Sequence, residues 1–277
     1  MEIPFYKMQG AGNDFILIDN QALQFSTEVL TKFAARVCTR RVSVGADTVI
    51  VIEASRGTGD FYARFFNADG SEAEMCGNGA RCVARYAYEQ GLADEKMVIE
   101  TIAGNVPAER INTRTYRVQL NSPTVFEADK KIQVDGKELT VDYVELGDPG
   151  IPHLVVHQPD LAMTELETIF DLARKLRNHP AFEKGANVNF YDILSDQTVV
   201  ERTYERGVED FTLACGTGTG STAYVLNKKE LTQVNPVTIE VLGGALQVEV
   251  VAEELYLIGD TNMVAAGTIL DDDLFLD

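Results

Sequence analysis

Apolar residues along this chain fall in short alternating or β-branched runs broken by glycine, asparagine and aspartate. Segments 47–53 (DTVIVIE), 60–66 (DFYARFF), 96–101 (KMVIET) and 115–120 (TYRVQL) have the composition of strands. So do 153–157 (HLVVH), 188–194 (VNFYDIL), 198–204 (TVVERTY), 237–242 (VTIEVL), 246–251 (LQVEVV) and 254–259 (ELYLIG). A helical period appears in four places. The first helix follows Ser26-Thr27 as a cap and sets Val29, Leu30, Phe33, Ala34 and Val37 on one face. The second opens just after Cys76 and stops at Gly91, a residue free to turn left-handed. The third is expected to open with a capping box, Thr164 with Glu167, and to bury Leu166, Ile169, Phe170, Ala173 and Leu176. Arg174, Lys175 and Arg177 suit the dipole of its last turns. The fourth opens just after Cys215 and runs to about Asn227.

The order repeats. Residues 1–118 give strands, a helix, more strands, then a cysteine-glycine loop opening a helix, and residues 119–263 give the same series. This predicts an α+β protein of two similar halves facing each other. The acidic stretch 126–138 (FEADKKIQVDGKE) reads either as the crossover between them or as a hairpin.

Composition narrows the partners. The 277 residues carry a net charge of −19 with a pI near 4.5. A phosphate-backbone binder needs basic surface, so nucleic acid is excluded as a partner, and an anionic membrane surface with it. No apolar run is long enough for a membrane helix, and the first residues lack the basic-then-apolar order of a signal peptide. A cytoplasmic location is expected. With three histidines and four cysteines, and neither Cys-x-x-Cys nor His-Glu-x-x-His, no metal site is expected.

The chemistry lies in two of the cysteines. MCGNGAR at 75–81 and ACGTGTG at 214–220 each place a cysteine and small residues at a helix start. A helix N-terminus leaves N–H groups unpaired and carries partial positive charge, which lowers a thiol pKa and receives a carboxylate. Two such ends set face to face would hold a substrate carboxylate with a sulfur on each side of its α-carbon. One thiolate would remove the α-proton, and the other thiol would deliver a proton to the opposite face. No cofactor is needed for that inversion. Cys38 and Cys82 stand within or at the end of helices and read as core residues. CGTGTGST matches neither common nucleotide loop, so phosphate binding is not supported.

With these residues in view, the chain resembles the diaminopimelate epimerase family over nearly its whole length. The likeness runs through KMQGAGNDFILID, FNADGSEAEMCGNGARCVARY, GANVNF and ERTYERGVEDFTLACGTGTG. It implies two pseudosymmetric halves, each a mixed or antiparallel sheet wrapped around a central helix. It also implies that 264–277 returns to the N-terminal half. Cys76 and Cys215 match the acid–base pair, and Gly77-Asn78 and Gly216-Thr217 the backbone clamp on the reacting carboxylate. Asn13 matches a polar contact near the reacting centre. Asn67, Asn187 and Arg206 match the group that holds the distal amino acid end. Glu205 matches a carboxylate that contacts the substrate amine, and His153 the histidine beside the thiols. Thr48 and Ile151 depart from the commoner residues, and Thr48 is kept as a substrate contact. The resemblance further implies an amino acid substrate, no cofactor and a homodimer. A racemase of another amino acid, such as histidine, and a non-catalytic binding protein are the competing readings. Taken singly, Asn67 fits an Asx turn, and Glu205 with Arg206 a surface pair.

Overall fold

The computed structural model of the chain describes residues 2–270, 272 and 274. Part of the expected return strand, residues 271, 273 and 275–277, lies outside the described residues. The chain divides into two compact units, one running to Val118 and resumed from Gly259, the other Gln119–Ile258. The elements of the first are β1 (Ile3–Gly10), β2 (Asn13–Asp19), a short α1 (Asn20–Leu23), α2 (Thr27–Val37), β3 (Thr48–Ala54), β4 (Phe61–Asn67), β5 (Glu72–Ala73), α3 (Gly77–Glu89), β6 (Lys96–Thr101), β7 (Gly104–Arg110) and β8 (Thr115–Gln119). The second holds β9 (Pro123–Val134), β10 (Lys137–Leu146), β11 (Ile151–His157), α4 (Leu166–Arg177), β12 (Asn187–Ser195), β13 (Thr198–Glu205), β14 (Asp210–Phe211), α5 (Gly216–Lys228), β15 (Val237–Val241), β16 (Gly244–Val251) and β17 (Glu254–Asp260). The last strand, β18 (Asn262–Ile269), pairs with β1.

The two units are wired alike. In the first, β1–β2 is antiparallel, β2–β3 parallel, β3–β4 antiparallel, β4–β6 parallel, and β6–β7–β8 antiparallel. In the second, β10–β11 is antiparallel, β11–β12 parallel, β12–β13 antiparallel, β13–β15 parallel, and β15–β16–β17 antiparallel. All four parallel steps are crossed by a helix, α2 and α3 in the first unit and α4 and α5 in the second, as a parallel connection requires.

The central strands of each unit are covered on both faces, which explains the continuous apolar run of β3. Val49 and Val51 pack with Leu30, Phe33 and Val37 of α2. Ile50, one position over, points at α3. In the second unit Val188 and Phe190 pack with Ile169, Ala173 and Leu176 of α4. Inside each curl of strands lies one helix. α3 packs on β1, β2, β6 and β7, and α5 on β10, β11, β12 and β16. Both inner helices are buried on most of their surface.

The structure adds strands that the sequence reading did not single out, β1, β2, β5, β7, β10 and β14, while β18 was expected only as the returning segment. β7 carries Gly104, Asn105 and Pro107, and β18 carries two alanines and a glycine, so both lack strand composition. Segment 126–138 is a hairpin, turning at Asp135 and Gly136 with φ of 51° and 73°. Two positive φ values in a two-residue loop match the twist of the flanking strands. Gly91, with φ of 71°, stops α3 as expected. The capping box does not form. Glu165 is the N-cap of α4 and makes no side-chain cap bond, while the Thr164 hydroxyl donates to the Asp160 carbonyl at 2.9 Å. Phe170 is not buried but 36% exposed, against Tyr204 and Phe211 at the rim of the α4 core.

Glycine in α3 is a packing requirement. A Cβ on Gly79 would stand 2.9 Å from Phe65 Cε1, 3.0 Å from Ile50 Cδ1 and 3.2 Å from Phe15 Cε1. Alanine would gain about 1 kcal/mol of helix propensity and lose about 1–3 kcal/mol to overpacking. Gly79→Ala is therefore expected to lower the urea midpoint, and an unchanged or raised midpoint would show that the strands can give way.

Candidate active site

In the first unit the predicted residues gather at one end of three neighbouring strands. Asn13 opens β2, Thr48 opens β3 and Asn67 closes β4, and Thr48 is in register with both Phe15 and Asn67. Cys76 is the N-cap of α3, with φ −122° and ψ 121° and no side-chain cap bond. Gly77 and Asn78 form the first turn, and the Ala80 N–H closes it on the Cys76 carbonyl at 2.7 Å. The Cys76 thiol donates to Asn13 Oδ1 at 3.4 Å. The Asn13 amide is oriented from behind, because its Nδ2 donates to Asp47 Oδ2 at 2.7 Å. Asp47 in turn accepts from Arg40 and from the Asp14 N–H. Asn67 does not form the Asx turn considered above. Its Nδ2 donates to Ser71 Oγ at 3.0 Å, and Asp69 makes the Asx turn by accepting from the Ser71 N–H.

In the second unit His153 lies in β11, in register with Asn187 at the start of β12, and Glu205 closes β13. Asn187 Oδ1 accepts the Arg206 N–H at 2.8 Å, and Arg206 Nη1 donates to the Lys184 carbonyl at 3.1 Å. Cys215 caps α5 with φ −116° and ψ 108°, close to the values at Cys76, and again without a side-chain cap bond. Gly216 and Thr217 form the first turn of α5, and the Thr217 hydroxyl lies 3.6 Å from the Cys215 sulfur. The predicted residues thus fall in two clusters, one per unit, with Asn67 in the first and Asn187 and Arg206 in the second.

The thiol acidity differs from the sequence expectation. Burial pushes the Cys215 pKa well above that of a free thiol, and the Glu205 charge raises it further. The Thr217 hydroxyl and the Gly218 N–H pull it down, so the helix end only moderates the effect of burial. Cys38 and Cys82 are pushed up to about 12 by burial, which leaves both as thiols in the core.

His153 is wholly buried. Burial first, and the Arg206 charge second, lower its pKa to about 3, so the imidazole is neutral. Asn189 Nδ2 lies 3.2 Å from Nδ1 and also donates to the Leu154 carbonyl, while Asn189 Oδ1 accepts from Thr203. Nδ1 is therefore the acceptor and Nε2 carries the proton. Nε2 is buried without a hydrogen-bond partner.

Two residues of this layer escaped the sequence reading. Asn189 orients His153, and its signal was the two-residue spacing from Asn187 along β12. Arg81, wholly buried in α3, donates to Asn78 Oδ1 at 3.0 Å, and its signal was a lone charge among Ala80, Cys82, Val83 and Ala84. Among the described residues no group of three or more His, Cys, Asp or Glu could hold a metal, and no helix is long and apolar enough to cross a membrane.

This architecture occurs in solved racemases and epimerases. The hydroxyproline epimerase of Agrobacterium vitis, crystallised with trans-4-hydroxy-L-proline, is similar over 99% of this chain and 94% of that one, with a TM-score of 0.70 at 16% identity. That likeness defines the fold class alone. Sequence goes further. Diaminopimelate epimerase of Aquifex aeolicus is 39% identical, covering 97% of this chain and 98% of that one. Diaminopimelate epimerase of Archaeoglobus fulgidus is 38% identical, covering 97% of each. The diaminopimelate epimerase family model matches residues 5–125 and 147–264, leaving out most of the β9–β10 hairpin. The chain belongs to the diaminopimelate epimerase family, a family of isomerases.

A neutral buried histidine has a definite pH signature. An unfolded chain binds a proton at His153 below about pH 6.5, whereas the folded one does so only near pH 3. The unfolded state therefore holds more protons in that window, and stability falls as pH falls through it. Between pH 6.5 and pH 4 the loss is about 3 kcal/mol for this group. His153→Gln should flatten the acid arm of the urea-midpoint profile relative to the parent. Parallel profiles would mean that His153 is protonated in the fold.

Proposed function

We propose that the protein interconverts LL- and meso-diaminopimelate without a cofactor, by proton transfer between two thiols and the α-carbon. The observation that carries this reading is the twin helix end. Cys76 and Cys215 have nearly the same N-cap backbone angles, and neither end is capped by its own side chain. Each is followed by glycine, where a carboxylate can approach the first-turn N–H groups closely.

One sulfur, as thiolate, takes the α-hydrogen and becomes a thiol. The electron pair left on carbon spreads into the carboxylate, whose growing charge meets the N–H groups of Gly77-Asn78 and Gly216-Thr217. The other thiol then gives its proton to the opposite face and becomes a thiolate, so the enzyme ends with the two roles exchanged. The buried Cys215 thiol suits this work, because a raised pKa makes its thiolate a stronger base toward a weak carbon acid. In this reading Glu205 contacts the substrate amine, and its charge beside Cys215 adds to that basicity. Asn13 holds the Cys76 proton on its oxygen, and Thr48 contributes a polar edge next to it. His153 offers Nε2–H as a neutral donor. Asn67, Asn187 and Arg206 hold the distal end, where the guanidinium matches a carboxylate. The pairing of Asn187 with the Arg206 N–H sets that guanidinium's backbone. The enzyme is proposed to act in the cytoplasm, where the four free cysteines stay reduced, and as a homodimer.

The decisive measurement is α-hydrogen exchange in D₂O without added cofactor. Deuterium should enter LL-diaminopimelate with meso product appearing, and Cys76→Ser and Cys215→Ser should each lower turnover by about 10²–10⁴-fold with the fold retained. Exchange into histidine instead would keep the two-thiol chemistry and move the substrate. Near-parental turnover in either serine variant would remove that sulfur from the mechanism. Sedimentation should give twice the chain mass, and a monomer mass would overturn the dimer.

A further inference from the structure

The inner face of the second unit holds a titratable group that the proton transfer above does not use. Glu201, in β13, is fully buried beneath α5. Its Oε2 lies 2.7 Å from Thr219 Oγ1, and its Oε1 lies 2.5 Å from Thr222 Oγ1. Thr219 Oγ1 is also 3.0 Å from the carbonyl oxygen of Cys215, the N-cap of that helix.

Counting protons decides how these contacts are made. A hydroxyl has one proton to donate and lone pairs to accept with. If Glu201 were ionised, the Thr219 proton would have two acceptors, and one close oxygen pair would be left without a hydrogen. If Glu201 is an acid protonated on Oε2, every contact has its proton. Glu201 donates to Thr219, Thr219 donates to the Cys215 carbonyl, and Thr222 donates to Oε1. The chain then runs unbroken from the carboxyl to the backbone of the proposed proton handler.

We propose that Glu201 is a positioning residue for Cys215, holding the α5 end through Thr219 as a neutral acid and, when ionised, breaking that chain and setting a negative charge beneath the thiol. The inference rests on the role assigned to Cys215 above. The charged and titratable groups around Glu201 are few. Arg202, next along β13, donates to the Glu201 backbone carbonyl at 2.7 Å and to the Glu240 carbonyl at 3.2 Å. Glu240 lies on β15, in register with Val200. From α5 the neutral Thr219 and Thr222 face it, and Cys215 and Glu205 complete the set. Burial pushes the Glu201 pKa up to about 7, against the pull of the two threonines and of Arg202. The switch therefore falls within the working pH range, with the neutral lock below it and the charged state above.

The test is Cys215 alkylation by iodoacetamide, read peptide by peptide by mass spectrometry from about pH 6 to pH 9, with Cys76 measured in the same digests. The parent should show a bend near pH 7 in the Cys215 profile, before the thiol's own ionisation. Glu201→Gln keeps a donating and an accepting end but cannot ionise. It should lose that bend and react about tenfold faster at alkaline pH, the effect of one unit of thiol pKa, with Cys76 unchanged. Superimposable Cys215 profiles would overturn the proposal. Should the variant not fold, infrared titration of the parent decides alone. A protonated carboxyl band that disappears near neutral pH supports the assignment, and one absent already at mildly acidic pH sinks it. The readout is chemical modification, so it stands whatever the enzyme turns over. Full turnover by Cys215→Ser would remove the two-thiol reading and leave the coupling of Glu201 to Cys215 intact.

Discussion

Everything in each unit follows from closing a sheet around one helix that begins at a cysteine. A helix in that position is buried over most of its length, and its N-cap cysteine makes no side-chain cap bond. The strands approach so closely that side chains on the helix collide with them. A Cβ on Gly218 would stand 2.3 Å from Asn189 Oδ1, and one on Gly220 would stand 2.7 Å from Leu120 Cδ1. α5 accordingly begins Gly-Thr-Gly-Thr-Gly-Ser-Thr, a sequence that no isolated peptide would hold as a helix. Each glycine gives up about 1 kcal/mol of propensity relative to alanine. Tertiary packing supplies the helix, and it supplies it only where the strands put it. The residues that weaken α5 as a helix are those that let it be enclosed.

The shared wiring carries opposite chemistry in its two copies. In the first unit α3 rests on Phe15, Ile50 and Phe65, with Arg81 as the buried charge. In the second, α5 rests on Asn189, Thr203 and Glu201, and the buried charge site is acidic. An apolar contact is tolerant of small shifts. A hydrogen-bonded one is not, since a displaced partner leaves a buried polar group unpaired. The second unit therefore specifies the position of its helix end more tightly than packing alone would. The same polar layer fixes the His153 tautomer through Asn189. Topology is the common inheritance of the halves, and side chains on the inward face distinguish them.

That division also explains what the sequence could and could not disclose. Strands such as β3 and β12 announce themselves because burial on two faces demands runs of β-branched and aromatic residues. α2 is legible from its cap and its single apolar stripe, and the Ser26 side chain does cap it by accepting the Val29 N–H. The two cysteine loops are legible because the same small residues recur at both. Composition hides β7 and β18, which partners hold in spite of Pro, Gly and Ala, and only the family resemblance pointed to the second. Thr164 failed as a cap because the Asp160 carbonyl, four residues back, took its hydroxyl. Glu201 reads as an ordinary outward position of a strand, TVVERTY. Only α5, distant in sequence, reverses that reading by covering it with two threonines.

The thiol acidity follows the same logic at a smaller scale. A helix end acts on a charge only to the degree that the charge is formed there, and burial opposes forming it. At Cys215 burial wins, and the neighbouring Glu205 adds to it. Local sequence, a cysteine before Gly-Thr-Gly, argues for a low pKa. The enclosure that makes the helix end usable argues for a high one. A base that must take a proton from carbon gains from the second and needs the first only to hold the charge that develops on the substrate. The Gly218 N–H reaches the Cys215 sulfur, and the N–H groups of the residues directly after each cysteine are then better spent on the carboxylate.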